Sequence, residues 1–200
     1  MEKMILTDCD GVLLRWEEGF DEFITARGHP RIPDTETEYS MALRYGITMK
    51  QALTYIKEYN ESDAMASLKP FADSVEYVAK LANMGFRFTA VTSMSDHPDA
   101  KTYRTNNLRA LFGDVFDEVV CLEMGASKAH VLMRWADSGF YWIEDHMRQA
   151  EAGHEAGLRT VLINHPYNNH YKTDLFPVVS YETPWKEIYK LICNTYYGKL

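Results

Sequence analysis

The sequence predicts an α/β fold, a parallel sheet covered by helices on both faces, with a small all-helical segment inserted after the first strand. Three observations predict it. The apolar run Met4-Ile5-Leu6-Thr7 breaks directly into the acidic, glycine-bearing turn Asp8-Cys9-Asp10-Gly11. An aromatic-rich stretch of helical periodicity follows, with no strand pattern through residue 69. From Pro70 onward, short apolar runs alternate with helix-period stretches, the pattern of right-handed βαβ units and a parallel sheet. The expected division is a core of residues 1–14 and 70–200, with residues 15–69 as a helical cap.

The elements follow in order. Residues 15–27 read as a helix, with Trp16, Phe20, Phe23 and Ile24 at helical spacing. Gly28-His29-Pro30 ends it. Pro33-Asp34-Thr35 leads into a second helix over 37–45, closed by Gly46, and Thr48 caps a third through residue 59. The aromatics of this block, Trp16, Phe20, Tyr39, Tyr45, Tyr55 and Tyr59, have two readings: contacts to a flat substrate group, or packing among small helices. Past Pro70, Asp73 is expected to cap a helix that buries Val75, Val78, Leu81 and Ala82 and stops at Gly85. A strand over 86–92 ends in the polar loop that begins at Ser93, and a helix continues to about residue 112. Strands over 118–122, 140–144 and 159–163 alternate with helices over 128–136 and 147–156. A polar loop spans 164–171, and Thr183-Pro184 starts a last helix burying Trp185, Ile188, Leu191 and Ile192.

Composition narrows the partners. An apolar share of 46% over 200 residues supports a real core in one domain, or in one domain with an insertion. A formal charge of −8 leaves no basic stripe for a nucleic-acid polymer, while a small anionic substrate stays compatible if a metal and a few local cations line its pocket. Cys9, Cys121 and Cys193 form neither a zinc pattern nor a disulfide framework, which fits a reducing cytoplasm. No signal peptide and no run of membrane-spanning length is evident. Cys9 itself reads as a small buried residue facing away from its acidic neighbours.

Ligands of such sheets bind beyond the carboxyl ends of the strands. Asp8, Asp10, Thr92, Ser93, Glu144 and Asp145 all fall there. Carboxylates crowded at one site repel and raise each other's pKa unless a cation lies among them. A hard divalent cation such as Mg²⁺ takes carboxylate oxygens, and a carboxylate with a free oxygen can act as a nucleophile. His97, His146, His165 and His170 match no zinc spacing and read as loop histidines.

The motifs Asp8-Cys9-Asp10-Gly11-Val12, Ala90-Val91-Thr92-Ser93, Lys128 at a helix start, and Glu144-Asp145 after Tyr141-Trp142-Ile143 resemble those of the haloacid dehalogenase-like phosphohydrolases. The resemblance covers most of the chain outside the inserted helices and implies a Rossmann-like core with a cap of the C1 type. It implies Asp8 as the nucleophile that forms an aspartyl-phosphate. Asp10 would protonate the leaving alcohol and then deprotonate water, help worth about 10²–10⁴-fold. Magnesium would bind Asp8, the Asp10 backbone carbonyl and Asp145, with Glu144 in contact directly or through a water. Thr92, with Ser93 the adjacent alternative, and Lys128 would hold the phosphoryl group. Gln149 stands where the family's fourth motif often carries a further Asp, and Glu151 follows.

The segment Asn164-His165-Pro166-Tyr167-Asn168 and the stretch Leu68-Lys69-Pro70 are similar to the 5′(3′)-deoxyribonucleotidase branch. That similarity implies a nucleoside monophosphate as substrate, its base stacked on cap aromatics. A sugar-phosphate phosphatase or phosphomutase is the alternative within the same chemistry. A phospho-accepting signalling receiver is the alternative from another class, but it would carry its acceptor Asp in mid-chain and lack an insertion. A nucleotide-binding module without chemistry would need a Gly-x-Gly-x-x-Gly fingerprint that does not follow the first strand.

Overall fold

The computed structural model describes residues 3–198. Its strands are β1 (Met4–Thr7), β2 (Arg87–Ser93), β3 (Phe116–Leu122), β4 (Tyr141–Glu144), β5 (Arg159–Asn164) and β6 (Val178–Ser180). They form one sheet in the order β3-β2-β1-β4-β5-β6, every neighbouring pair parallel. The strand order reverses at β1, so a crevice opens beyond its carboxyl end. Register makes that crevice the meeting point of distant segments. Thr7 pairs with Ala90 on one side and Ile143 on the other, so Asp8 and Glu144 emerge side by side and Thr92 follows one residue further along.

Both sheet faces are apolar, as expected where each is covered. Ile5, Phe88, Ala90, Ile143 and Val161 belong to one buried cluster, whereas Met4, Leu6, Val91 and Trp142 belong to another. The period-2 alternation of strand side chains produces this division.

Helices α1 (Trp16–Thr25), α2 (Met41–Tyr45) and α3 (Met49–Asn60), with a 3-10 turn over Asp63–Ala66, lie between β1 and β2 in the chain. The leaving and returning segments run side by side: Arg15 N–H donates to the Lys69 carbonyl at 2.8 Å and Phe71 N–H to the Leu13 carbonyl at 2.9 Å. Thr48 begins α3 with a full capping box closed by Gln51. The aromatics of these helices pack on one another. Trp16 stacks on Phe20 at 4.8 Å, and Phe20 meets Tyr45 and Tyr59 edge-on at 5.7 and 5.5 Å. Tyr39 differs, being 60% exposed.

The remaining helices are α4 (Ser74–Asn83), α5 (Pro98–Phe112), α6 (Ala129–Leu132), α7 (Met147–Glu155) and α8 (Pro184–Tyr197). Trp185 on α8 is fully buried, and its Nε1–H donates to the Val12 carbonyl at 2.9 Å, which ties the last helix to the turn after β1. Among the described residues no helix is long and apolar enough to cross a membrane.

Several expectations need correction. The helix expected over 37–45 forms only at Met41–Tyr45, because the buried Arg44 side chain captures the Glu38 carbonyl and the preceding residues turn instead. Asp73 does not cap α4 with its carboxylate, which accepts from Lys186 N–H at the start of α8. Val75 is exposed rather than packed. The helix expected over 128–136 is one α-turn followed by a 3-10 turn at Met133–Trp135. Strand β6 has no counterpart among the elements expected from the sequence. Three residues after Pro177 carry too little periodicity to identify, yet Leu162 N–H donates to the Pro177 carbonyl and pairing with β5 follows.

Candidate active site

Asp8 leaves β1 with its own N–H bonded to the Ile143 carbonyl at 2.9 Å, so the first acidic residue is fastened to β4. Its two carboxylate oxygens have separate partners. Oδ1 accepts from Cys9 N–H at 2.6 Å, and Oδ2 lies 2.7 Å from Lys128 Nζ. Lys128 is buried to within 2% and reaches Glu144 Oε2 at 2.8 Å as well. The other Glu144 oxygen accepts from Asp145 N–H and His146 N–H, both at 3.0 Å, at the entry to α7. One oxygen each from Asp8, Glu144 and Asp145 lies within 4.8 Å of the others. Among the described residues, no histidine or cysteine joins such a cluster.

Burial is the main cause of the charge strain here. It pushes Asp8 up to about 7, with Glu144 adding to the rise and Lys128 opposing it. Burial and the Asp8 carboxylate push Asp145 up to about 7, and burial pushes Glu144 to a similar value. Burial alone would pull Lys128 down, but Asp8 and Glu144 overcome it and hold the ammonium well above its usual range. Three buried carboxylates facing one ammonium leave an excess of negative charge, which a cation would relieve.

Gly11 shapes this pocket. Its φ is +76°, and a Cβ there would meet Asp145 Oδ2 at 2.3 Å and the Tyr167 hydroxyl at 3.1 Å. Only a residue without a side chain permits the turn to pass so close to the second acidic segment.

Thr92 and Ser93 end β2 with side chains on opposite faces. Ser93 Oγ donates to the Ala126 carbonyl at 2.9 Å and so holds the loop before Lys128. Gln149 does related work: its Oε1 accepts from Lys128 N–H at 2.9 Å. Where a further carboxylate was considered from the motif, this chain has an amide that fixes the lysine. Asp10 stands apart from the three-carboxylate cluster. Its side chain is paired with Arg104 of α5 at 2.6 and 2.7 Å.

The loop after β5 braces Asp145. The Tyr167 hydroxyl donates to Asp145 Oδ2, and Asn168 Nδ2 donates to the Asp145 carbonyl at 2.6 Å. His165 Nε2 donates to the Gly11 carbonyl at 2.7 Å and its ring stacks on Tyr167 at 4.8 Å. Tyr39 meets Tyr167 and His146 edge-on, which brings one aromatic of the inserted segment beside the cluster. Arg104, Gln149 and Tyr167 had no structural role in the sequence reading, since each acts on a partner far away in the chain.

The sheet order and the helices around it are shared with solved proteins of the haloacid dehalogenase-like fold. A haloacid dehalogenase-like family hydrolase from Streptococcus pneumoniae superposes with a TM-score of 0.65, covering 94% of this chain and 97% of its own at 14% identity. CbbY from Rhodobacter sphaeroides, solved in complex with phosphate, superposes with a TM-score of 0.61 at 18% identity, covering 91% and 96%. At these identities the likeness is one of fold. No protein-family model matches the chain. In sequence, the chain is 31% identical over 139 residues to an uncharacterized 32.4 kDa protein of the Gp30-rIII intergenic region of Enterobacteria phage T4. That match takes in 67% of this chain, and the chain spans half the length of the phage protein.

Proposed function

We propose that the chain is a magnesium-dependent phosphomonoester hydrolase acting through an aspartyl-phosphate on Asp8. The observation that carries this reading is the Asp8 carboxylate, buried at a strand end, with Lys128 on one oxygen and Glu144 and Asp145 alongside. A Mg²⁺ ion fits the donor set, since the converging ligand atoms are all hard carboxylate oxygens and their charge exceeds that of Lys128. Asp8, Asp145 and the Asp10 carbonyl would hold it, with Glu144 in direct or water-mediated contact. When bound, it neutralises oxygens of the phosphoryl group and of Asp8.

The residues then divide the work. Asp8 supplies the nucleophilic oxygen in line with the leaving alcohol. Lys128 holds Asp8 in place and offsets charge on the transferring group. Thr92 at the end of β2 contacts a phosphoryl oxygen. Asp10 gives a proton to the leaving oxygen and recovers one from the attacking water. Tyr167 and Asn168 keep Asp145 oriented, as partners behind a ligand commonly do.

The substrate is a small phosphorylated molecule enclosed beneath the inserted helices, which act as a cap. Tyr39, exposed beside Tyr167 and His146, supports a nucleoside monophosphate with a stacked base. The mutual packing of Trp16, Phe20, Tyr45 and Tyr59 favours the sugar-phosphate reading, because those rings face one another rather than a ligand. The free thiols of Cys9, Cys121 and Cys193 are compatible with a cytoplasmic setting as part of the same proposal. The placement of both acidic segments at the ends of β1 and β4 speaks against a signalling receiver, whose acyl-phosphate would be long-lived. Phosphate release with Mg²⁺ from a panel of nucleoside monophosphates and sugar phosphates tests the reading. Turnover of either class is expected, the ratio of kcat/KM values selects between them, and inertness toward both refutes it.

Metal binding has its own readout. Asp8 and Asp145 sit near 7 against 3.8 for the free side chain, so the folded state takes up protons that the unfolded chain releases. The associated stability is present at low pH and is lost as pH rises from about 4 through 7. Without metal, Tm is therefore expected to fall between pH 6 and pH 8. Added Mg²⁺ should raise Tm more at pH 8, where protons no longer compete for the carboxylates. Calorimetric scans at both pH values, with Mg²⁺ and with a chelator, check this; an equal shift at the two would contradict it.

A further inference from the structure

Helix α5 buries Ala100, Arg104, Asn107, Leu108 and Phe112 along one face. Arg104 is fully buried on that face, at a position where an aliphatic residue would pack without desolvating a charge. Among the described residues its one ionic partner is Asp10, whose side chain remains 22% exposed. A single nitrogen, Nη2, lies 2.6 Å from one Asp10 oxygen and 2.7 Å from the other, so the carboxylate cannot rotate without losing both bonds. Pairs of this kind seldom repay their desolvation in stability alone, and an apolar replacement of both partners is often neutral or favourable.

The pair is also tied to the inserted helices. Arg104 Nε lies 3.3 Å from Met94 Sδ. The Met94 carbonyl accepts from Asn60 Nδ2 at 2.9 Å, and Asn60 Oδ1 accepts from Trp16 Nε1 at 2.8 Å. A continuous set of contacts therefore runs from α1 through α3 and the loop after β2 to Asp10.

We infer that Arg104 is a positioning residue for the proton-transfer step: it holds the Asp10 carboxylate, two residues after the nucleophile, in one orientation, and the Met94–Asn60–Trp16 chain makes that orientation depend on where the inserted helices sit. The inference rests on the hydrolase reading above. Asp10, ion-paired with Arg104 here, must take up a proton from solvent before the first half-reaction; then the bond from phosphorus to the leaving oxygen breaks as the Asp8–phosphorus bond forms, and that proton passes to the leaving oxygen. In the second, water attacks phosphorus, Asp10 takes its proton, and the Asp8–phosphorus bond breaks to release inorganic phosphate. A misplaced Asp10 harms the first half-reaction most when the leaving alcohol is basic.

The test compares kcat/KM on propyl phosphate, whose leaving oxygen needs a proton, with that on 4-nitrophenyl phosphate, whose leaving group departs as the anion. Arg104→Met is expected to lower the alkyl value by about 100-fold and the aryl value by less than about tenfold. Arg104→Lys, which keeps the charge in the core if the methionine variant does not fold, should show the same skew at reduced size. In an Asp10→Asn background, Arg104→Met should cost nothing further on the alkyl ester, because the two changes disable one device. An equal loss on both esters, or losses that multiply in the double variant, would overturn the positioning role. Wild-type protein inert toward these esters and toward the nucleoside monophosphate and sugar-phosphate panel would instead bring down the hydrolase reading, and this inference with it.

Discussion

Replacing Asp8 with asparagine is expected to lower phosphate release by at least about 10³-fold while the chain remains folded. The loss follows from geometry. Asp8 is the carboxylate of the cluster that leads directly from β1, with Oδ1 on the Cys9 N–H and Oδ2 on Lys128. Glu144 has one oxygen on Lys128 and the other on two backbone N–H groups. Asp145 has one oxygen engaged by Tyr167. A neutral amide at position 8 is a poor nucleophile and cannot form the acyl-phosphate. Folding should survive for an electrostatic reason. Burial holds the Asp8 carboxyl near 7, so the amide replaces a group already reluctant to ionise, and Lys128 keeps its contact to Glu144. Tm at pH 7.5 is expected to stay within about 4 °C of the parent, a difference of roughly 1 kcal/mol for a chain of this size. Full activity in the variant would remove Asp8 from the mechanism; a collapse of Tm would show that its role is structural.

What could be read from the sequence depended on how local its cause was. The ends of β1, β2 and β4 were readable because a short apolar run that stops at Asp8, at Thr92 or at Glu144 is a one-dimensional signal. Lys128 was readable as a cation placed at a helix start between strands. Arg104 was not, because α5 has buried polar positions at Arg104 and Asn107 that break its apolar stripe, and their partners lie far away in the chain. Asn107 donates to the Ala66 and Leu68 carbonyls, and Arg104 pairs with Asp10. The loop at Tyr167 and Asn168 resembles a segment of a substrate-specific branch. Its visible work in the fold is to brace Asp145, a contact that only the return of β5 beside β4 creates. The aromatics between residues 15 and 69 posed a choice between ligand and packing. Mutual burial decided it for Trp16, Phe20, Tyr45 and Tyr59, whereas Tyr39 remains beside the acidic cluster.

Lys128→Met should be the most destabilising single change at the site. The ammonium lies 2.7 Å from Asp8 Oδ2 and 2.8 Å from Glu144 Oε2, with the Trp142 ring 5.3 Å away. Methionine fills much of the same volume, so the effect isolates charge from packing. Removing one partner of a buried ionic group costs about 3–5 kcal/mol, because the carboxylates left behind have neither water nor a counter-charge. For a chain of this length that corresponds to a fall in Tm of about 10 °C at neutral pH. The pH dependence identifies the cause. Lys128 opposes the rise of Asp8 and Glu144, so in its absence their pKa values climb further above those of the unfolded chain. Protonation then rescues the folded state at low pH, and the deficit grows as pH rises through the folded values. Thermal scans of metal-free protein should show a small gap between variant and parent near pH 5 and the full gap near pH 8. Mg²⁺ should narrow the gap at pH 8 by supplying the missing positive charge. A gap that is the same at both pH values would contradict the electrostatic account of the cluster.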